Sequence, residues 1–461
     1  MKRTPVEQSA LDHVWVHAMQ YADLEQEDGL KVFVRGEGST LYDARGRAFL
    51  DGMAGLCIVN VGHGRAEIAE AMAAQARQLA YVSSFNHVAL PTVQLAEKLA
   101  TLTPPGLDRV FFCSGGSEAV ETALKMARQY HALNGEPQRQ KFISRQESYH
   151  GATYGAMSVS GRGRPFLNRN FGPLLQGTHQ GPQPFCFRCP LHLSYPACGV
   201  ACADAVEDII RYEGPETIAA IIAEPISFSA GIAVPPAEYW PKLRELCDRY
   251  GILLIADEVI TGFGRTGRWF GLEHFAVTPD MITLATGFSS GYAPLGACVV
   301  KRELAEAFVG HSDLTFRHGY SYGGHAVSAA AGLKNIEVLE REDLAGNAAR
   351  MGARLGQGLA NMARHPSVGD VRGIGLMWAV ELVVDQRTRR KVTMDQAHVL
   401  DRHLMQLGLL TRCWDILYFA PPLCITPEEV DQMLAITDVA LGRFEDDLGL
   451  GLRQPEQSEQ L

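Results

Sequence analysis

Val110-Phe111-Phe112-Cys113-Ser114-Gly115-Gly116-Ser117-Glu118-Ala119-Val120-Glu121-Thr122-Ala123-Leu124-Lys125 runs from an apolar stretch through two glycines into a helical pattern. A buried strand that turns at Gly-Gly and enters a helix directly is a unit of α/β architecture, and it leaves unpaired amides at the helix N-terminus. Those amides and the Ser117 hydroxyl can converge on an anion, so the turn reads as a phosphate seat built around Gly116 and Ser117. An ordinary strand-to-helix turn with a serine cap is the plainer reading of the same residues. The chain has neither a P-loop nor a G-x-G-x-x-G fingerprint at this turn, which disfavours a nucleotide.

Outward from this turn, short apolar runs alternate with helical segments for some 200 residues. The strand candidates are Val110 to Cys113, Lys141 to Ser144, Ile218 to Ala223, Ile252 to Ala256, Met281 to Ala285 and Ala297 to Val300. Ala66 to Leu79 and Thr92 to Leu102 carry helical periodicity. Such alternation predicts a mostly parallel sheet with helices on both faces. Before it, Lys31 to Gly38 and Thr40 to Arg47 predict an antiparallel meander. After it, a helical stretch from Asn335 to Ala363, a strand pair at Gly373 to Val383, a segment from Thr411 to Ile425 and a final helix from Pro427 to Leu448 predict a second α+β lobe, completed by the meander. The expected division is residues 1–75 as an N-terminal contribution to the small domain, 76–330 as the large domain and 331–461 as the C-terminal small domain. No internal repeat or low-complexity tract interrupts the pattern.

Composition narrows the partners. The 461 residues are 46% hydrophobic and 20% charged, ordinary for a globular protein with a deep core. The 42 Lys and Arg against 52 Asp and Glu give a net charge of −10, which offers no general attraction to phosphate backbones or anionic lipid. Nucleic acid is therefore not an expected partner. The basic start, Met1-Lys2-Arg3, has no apolar run behind it, and no stretch is long enough to span a bilayer. A cytoplasmic location without membrane contact is expected, with the ten cysteines reduced.

Two further motifs carry chemistry. In Ile252-Leu253-Leu254-Ile255-Ala256-Asp257-Glu258-Val259 an apolar strand ends in acid, which puts Asp257 at the sheet edge where open α/β folds bind their ligands. A carboxylate there can pair with a protonated ring nitrogen, and Val259 can press on a ring face; a solvated loop acid is the alternative. Ser148-Tyr149-His150-Gly151 follows another strand and offers an aromatic plane for stacking.

Taken in order with Ala223-Glu224-Pro225 and Gly291-Tyr292-Ala293-Pro294-Leu295-Gly296-Ala297, these motifs resemble the class III aminotransferases of the ω-amino acid or amine:pyruvate kind, almost end to end from Leu50-Asp51-Gly52-Met53 to Ala420-Pro421-Pro422-Leu423. The resemblance implies a fold type I enzyme that uses pyridoxal 5'-phosphate (PLP) and acts on a small-molecule amine and a keto acid, as a homodimer or a dimer of dimers. By the same resemblance Gly116 and Ser117 hold the cofactor phosphate and Tyr149, beside His150, stacks on the ring. Asp257 pairs with the ring nitrogen, Val259 packs on the opposite face and Glu224 supports the ring-side hydrogen bonds. Tyr320 and Ser321 belong to a segment that reaches the neighbouring subunit's phosphate, Ser321 standing where relatives usually have Thr. Arg412 falls where relatives grip the substrate carboxylate. Cys57 stands where many carry Trp, which widens the substrate pocket.

One position departs from the family. Thr283-Leu284-Ala285-Thr286-Gly287 puts Thr286 where relatives have the lysine that bonds covalently to the cofactor and then moves the proton during transfer. No lysine lies between Lys242 and Lys301. A hydroxyl forms no imine, so the expectation is non-covalent PLP and impaired transamination. Three readings follow: an aminotransferase with its lysine replaced, a lysine-independent PLP or pyridoxamine phosphate enzyme with a base such as His150, or a non-catalytic partner subunit. A scaffold on an abandoned enzyme fold is the reading without PLP. Finally, Cys186, Cys189, Cys198 and Cys202 have a C-x2-C-x8-C-x3-C spacing that four zinc ligands could adopt, but it is irregular for a zinc ribbon, and no metal is expected.

Overall fold

Seven strands form the central sheet in the order Leu107–Cys113, Gly296–Lys301, Met281–Leu284, Leu253–Asp257, Ile218–Ala223, Lys141–Arg145, Thr178–Gly181 in the computed structural model, which describes residues 3–26, 29–161 and 170–450. Every neighbouring pair is parallel except those of Gly296–Lys301, which runs antiparallel to the strands on both sides. The architecture is α/β, as the alternation of the sequence predicts. Six of these strands coincide with the expected apolar runs; Thr178–Gly181, at the sheet edge, was not expected.

Both faces of the sheet are covered, and alternate residues of each strand serve opposite faces. Ile222 and Ile255 pack with Val120, Ala123, Leu124 and Ala127 of helix Gly116–Leu133. Ile221 and Leu254 pack with Val206 and Ile210 of helix Ala201–Glu213 and with Trp240 and Leu243 of helix Tyr239–Tyr250. Ile218–Ala223 is accordingly buried at all six positions.

The chain ends meet beside this sheet. The meander has three strands rather than two, Phe33–Glu37, Thr40–Asp43 and Ala48–Asp51, and Leu409–Leu410 adds to it in parallel, pairing with Leu50 and Asp51. Val368–Ile374, Met377–Asp385, Ile416–Phe419 and Arg412–Cys413 form a third, antiparallel sheet. The helical stretch expected from Asn335 to Ala363 is two helices, Ala326–Arg341 and Leu344–Asn361. Asp343 separates them: at φ 46° it leaves the helix, and its carboxylate accepts from the Gly346 amide to cap the second one. The last helix, Pro427–Leu448, has the expected bounds because every end signal agrees: Thr426 and Glu429 form a capping box, Pro427 opens it and Gly449 closes it with positive φ. No described helix is long and apolar enough to cross a membrane.

Arg265 ties these parts together. It is fully buried, and its guanidinium donates to Asn60 Oδ1 (2.7 Å) and to the carbonyls of Leu376 (3.2 Å) and Pro421 (2.5 Å). Arg265→Met leaves those acceptors unpaired in the interior, so it is expected to lower stability by about 3 kcal/mol, read as a lower denaturation midpoint at unchanged slope.

Candidate active site

Asp257 ends the strand Leu253–Asp257 and is almost wholly buried. Burying a carboxylate demands donors, and three face it. Oδ1 accepts from the Thr283 hydroxyl (2.9 Å) and the Val259 amide (3.2 Å), and Oδ2 lies 2.7 Å from His150 Nδ1. Thr283 is its register partner on the adjacent parallel strand. His150 is buried, its amide donates to Ser160 Oγ (2.9 Å), and its Nε2 has no hydrogen-bond partner among the described residues. A buried nitrogen without a partner is the kind of group a bound molecule can satisfy.

The neighbouring strand ends supply the next layer. Glu224 follows Ile218–Ala223 and faces Arg145 at the end of Lys141–Arg145, with Oε2 2.8 Å from Arg145 Nη2 and 4.0 Å from His150 Nε2. Its Oε1 accepts from the Tyr149 amide (3.2 Å) and the Ser227 hydroxyl (3.0 Å). Burial penalises the Glu224 carboxylate, but the charges of His150 and Arg145 outweigh that penalty and hold it below the usual carboxylate range. Glu258, next along from Asp257, is pushed up to about 7 by burial; it accepts from the amides of Gly271 and Leu272 and from the Thr261 hydroxyl, and so secures the following loop.

The glycine turn closes against this layer. Gly115 is the N-cap of helix Gly116–Leu133 and no side chain among the described residues caps it, so the serine-cap reading of the turn does not hold. Ser117 Oγ instead accepts from the Ala152 amide (3.0 Å), which keeps its own proton for another acceptor. A Cβ on Gly151, at φ +136°, would sit 2.5 Å from that oxygen, and one on Gly116 would sit 2.9 Å from Val259 Cγ1. The Tyr149-His150-Gly151 loop, the Gly115-Gly116 turn and Val259 therefore touch one another only because two of the residues lack side chains. Tyr149 keeps 41% of its surface exposed beside them.

Thr286 also reaches this place. It opens a short 3-10 turn after Met281–Leu284, and its hydroxyl donates to the Val259 carbonyl. Tyr320 lies near the turn from the other side, its hydroxyl donating to the Glu118 carbonyl (3.1 Å) and its ring meeting His318 edge-on at 4.8 Å. Ser321 is exposed, and its carbonyl accepts from Tyr81 (2.8 Å).

Cys57 and Arg412 form a second group. Cys57 is wholly buried in a cluster with Met53, Ile226, Phe228, Met377 and Tyr418, so its side chain offers no open surface within one chain, and burial pushes its thiol up to about 11. Arg412 is half-buried, pairs in register with Tyr418 and stacks 3.7 Å over the Trp414 ring. Ile226 and Phe228 flank Ser227, which links this cluster to Glu224.

Cys186, Cys189, Cys198 and Cys202 line one small cavity as free thiols; among the described residues no three His, Cys, Asp or Glu side chains are set to hold a metal ion. Sequence reading missed Arg145, Thr283 and Ser227. Thr283 carried the only available signal, a hydroxyl inside an otherwise apolar strand beside that of Asp257.

The polar groups present suit a phosphorylated, protonated ring: uncapped helix amides and a hydroxyl at one end, a fixed carboxylate at the other, an exposed aromatic ring between. An amine is the one group the set lacks. Related proteins agree with this chemistry. A probable aminotransferase of Mycobacterium tuberculosis is 42% identical over 432 residues, 92% of this chain and 91% of its own. A putrescine–pyruvate aminotransferase of Pseudomonas aeruginosa is 38% identical over 91% of this chain and 92% of its own. The crystal structure of an (S)-enantioselective omega-transaminase from Thermomicrobium roseum superposes with a TM-score of 0.92 at 40% identity, covering 95% of this chain and 98% of that one. With the family model for aminotransferase class-III matching residues 21–441, the chain belongs to the class III aminotransferases, a fold type I family that transfers amino groups with pyridoxal phosphate.

Proposed function

We propose that this chain binds PLP without a covalent bond at residue 286, in a site built for moving an amino group from an ω-amino acid or amine to a keto acid such as pyruvate, and that Thr286 blocks ordinary turnover. The observation that carries this reading is the contrast within a few residues. Asp257 is fully furnished with partners, while the neighbouring Thr286 hydroxyl is committed to the Val259 carbonyl.

Bound PLP supplies an electron sink for charge developing at the amino carbon. The chain's part is to hold it. Gly116 and Ser117 donate to the phosphate, Tyr149 and Val259 cover the two ring faces, and Glu224 orders the Tyr149 side. Asp257 keeps the ring nitrogen protonated. Arg412 binds the substrate carboxylate with its planar fork. Thr286 has no amine to bond the cofactor and no basicity near neutral pH to carry a proton, so the positioning survives and the proton transfer is lost. A lysine-independent reaction is favoured by one feature, the buried His150 Nε2, which has no hydrogen-bond partner among the described residues.

In the proposed assembly two copies pair, and Tyr320 and Ser321 serve the partner's phosphate. Exposed apolar residues support this: Phe85, Val88 and Leu90 lie on a segment tied to residues 319–324 by Phe85 against Gly319, Ser84 to the Gly323 carbonyl and Thr92 to the Gly324 carbonyl. Ten free thiols suit the reduced cytoplasm.

Borohydride reduction of the PLP-loaded chain followed by peptide mapping is expected to find PLP retained but no adduct, and Thr286→Lys to give an adduct at 286 with amine transfer to pyruvate at least about 100-fold faster. Loss of PLP from the unmodified chain, or an adduct on another lysine, overturns the reading. Any residual turnover of the unmodified chain should disappear in His150→Ala; if it persists, His150 is not its base. Ser321→Ala should weaken PLP binding by about fivefold, the worth of one hydrogen bond, in a dimer whose sedimentation is unchanged.

A further inference from the structure

One cavity has no part in the site described above. Gln183 and all four cysteines of the C-x2-C-x8-C-x3-C stretch, Cys186, Cys189, Cys198 and Cys202, line it, and its volume of about 20 Å³ is enough for one small guest. Gln183 is buried, and neither end of its amide has a hydrogen-bond partner among the described residues. An amide left so calls for a small hydrogen-bonding molecule. Among the thiols Cys186 is exposed and the other three are half-buried. No three His, Cys, Asp or Glu side chains converge as metal ligands among the described residues, which leaves the cysteines the chemistry between two sulfurs.

Cys186 is firmly placed, because the residues around it are fastened to the antiparallel sheet that carries Arg372 and Glu381. The Arg372 guanidinium carbon stands 4.4 Å over the Phe185 ring, the Phe187 carbonyl accepts from Arg389 Nη1 (2.8 Å), and Arg188 Nε meets Oε1 of the buried Glu381 at 2.6 Å. Cys198 sits in a turn before helix Ala201–Glu213, its amide donating to the Ser194 carbonyl (2.9 Å). Burial pushes the Cys186 thiol up, and among its neighbours Cys198 adds most to the rise, ahead of Cys189. Cys202, in the first turn of the helix, is pushed up to about 11 by burial, with Cys186 the foremost of the other thiols. A charge on one sulfur is thus opposed by the next, and joining two of them removes both. Cys198 is the partner placed for this, since it lies outside the helix that fixes Cys202.

We propose that this cavity is a peroxide-reactive thiol site: hydrogen peroxide, little larger than water and like it in hydrogen bonding, is held by Gln183, oxidises Cys186 and leaves a disulfide between Cys186 and Cys198. The Cys186 thiolate attacks one peroxide oxygen, the O–O bond breaks, and the departing hydroxide takes up the thiol's proton as water, leaving a sulfenic acid. The Cys198 sulfur then attacks that of Cys186, the S–O bond breaks, and the oxygen leaves with the Cys198 proton as a second water. Two thiols and one peroxide become one disulfide and two waters. The raised Cys186 thiol supplies little thiolate near neutral pH, but that thiolate is the more nucleophilic for it. This chemistry needs neither PLP nor residue 286.

The test takes the full chain, reduced and then freed of reductant, adds hydrogen peroxide and maps the peptides without reduction. The expected product is a Cys186–Cys198 bridge that dithiothreitol reopens. Cys198→Ser should stop at the sulfenic acid on Cys186, trapped by dimedone, and Cys186→Ser should form no bridge. Gln183→Leu should slow the peroxide oxidation of Cys186 about fivefold, the worth of one hydrogen bond, while alkylation of Cys186 by iodoacetamide keeps its rate, which a merely loosened loop would not allow. A bridge from Cys186 to Cys189 or Cys202, a sulfenic acid first on another cysteine, or oxidation of Cys186 no faster than that of the buried Cys113 and Cys298 overturns the proposal. An unchanged peroxide rate in a folded Gln183→Leu chain overturns it as well, since the peroxide is then not held in the cavity. Should Gln183→Leu not fold, the species trapped in Cys198→Ser and Cys186→Ser decide it.

Discussion

A carboxylate at the end of an apolar strand governs how this site is put together. Asp257 is carried into the interior by Leu253–Asp257, and a buried carboxylate is tolerated only when donors surround it. The donors come from three directions: Thr283 from the neighbouring strand, Val259 from the chain just beyond, and His150 from a loop 107 residues earlier. Satisfying Asp257 therefore draws the strand ends and the Tyr149-His150-Gly151 loop to one point. Glu224 and Arg145 repeat the arrangement one layer out, where a second buried carboxylate is answered by a guanidinium from the next strand.

What was legible beforehand follows the physics of each element. Ile218–Ala223 is buried on both faces, so its sequence is an unbroken apolar run and its bounds could be read directly. The final helix announced itself through Thr426, Pro427, Glu429 and Gly449, all local signals. Thr178–Gly181 carries Thr, His, Gln and Gly, and its backbone pairs in parallel with Lys141–Arg145. Nothing in those four side chains marks a strand. The break at Asp343 was hidden because the apolar spacing continues across it, and only the φ of one residue and a cap separate the two helices.

The site divides along the same line. Asp257, Tyr149, His150 and the Gly116-Ser117 turn sit in contiguous motifs, and contiguity is what sequence can display. Arg145 and Thr283 gain their meaning from strand order and register, which bring residue 145 beside 224 and residue 257 beside 283. The glycine turn shows the opposite hazard: a serine cap could be read there, whereas the structure gives that place to Gly115 and uses the Ser117 hydroxyl to fasten the Gly151 loop.

On the proposed reading, holding a cofactor and doing chemistry with it are separable in this fold. The groups proposed to hold it are anchored to one another through the sheet: Gly151 against Ser117, Gly116 against Val259, Val259 against Asp257, Asp257 against Thr283. None of those contacts passes through the side chain at residue 286, which only adds a hydroxyl to the Val259 carbonyl. On the proposed reading threonine there supplies neither the bond nor the base, while the contacts that join the other groups remain. A substitution at Asp257 would strip three donors of their acceptor at once. The tolerance for threonine at residue 286 and the intolerance expected at Asp257 have the same cause: only one of the two positions is part of the scaffold that folds the site.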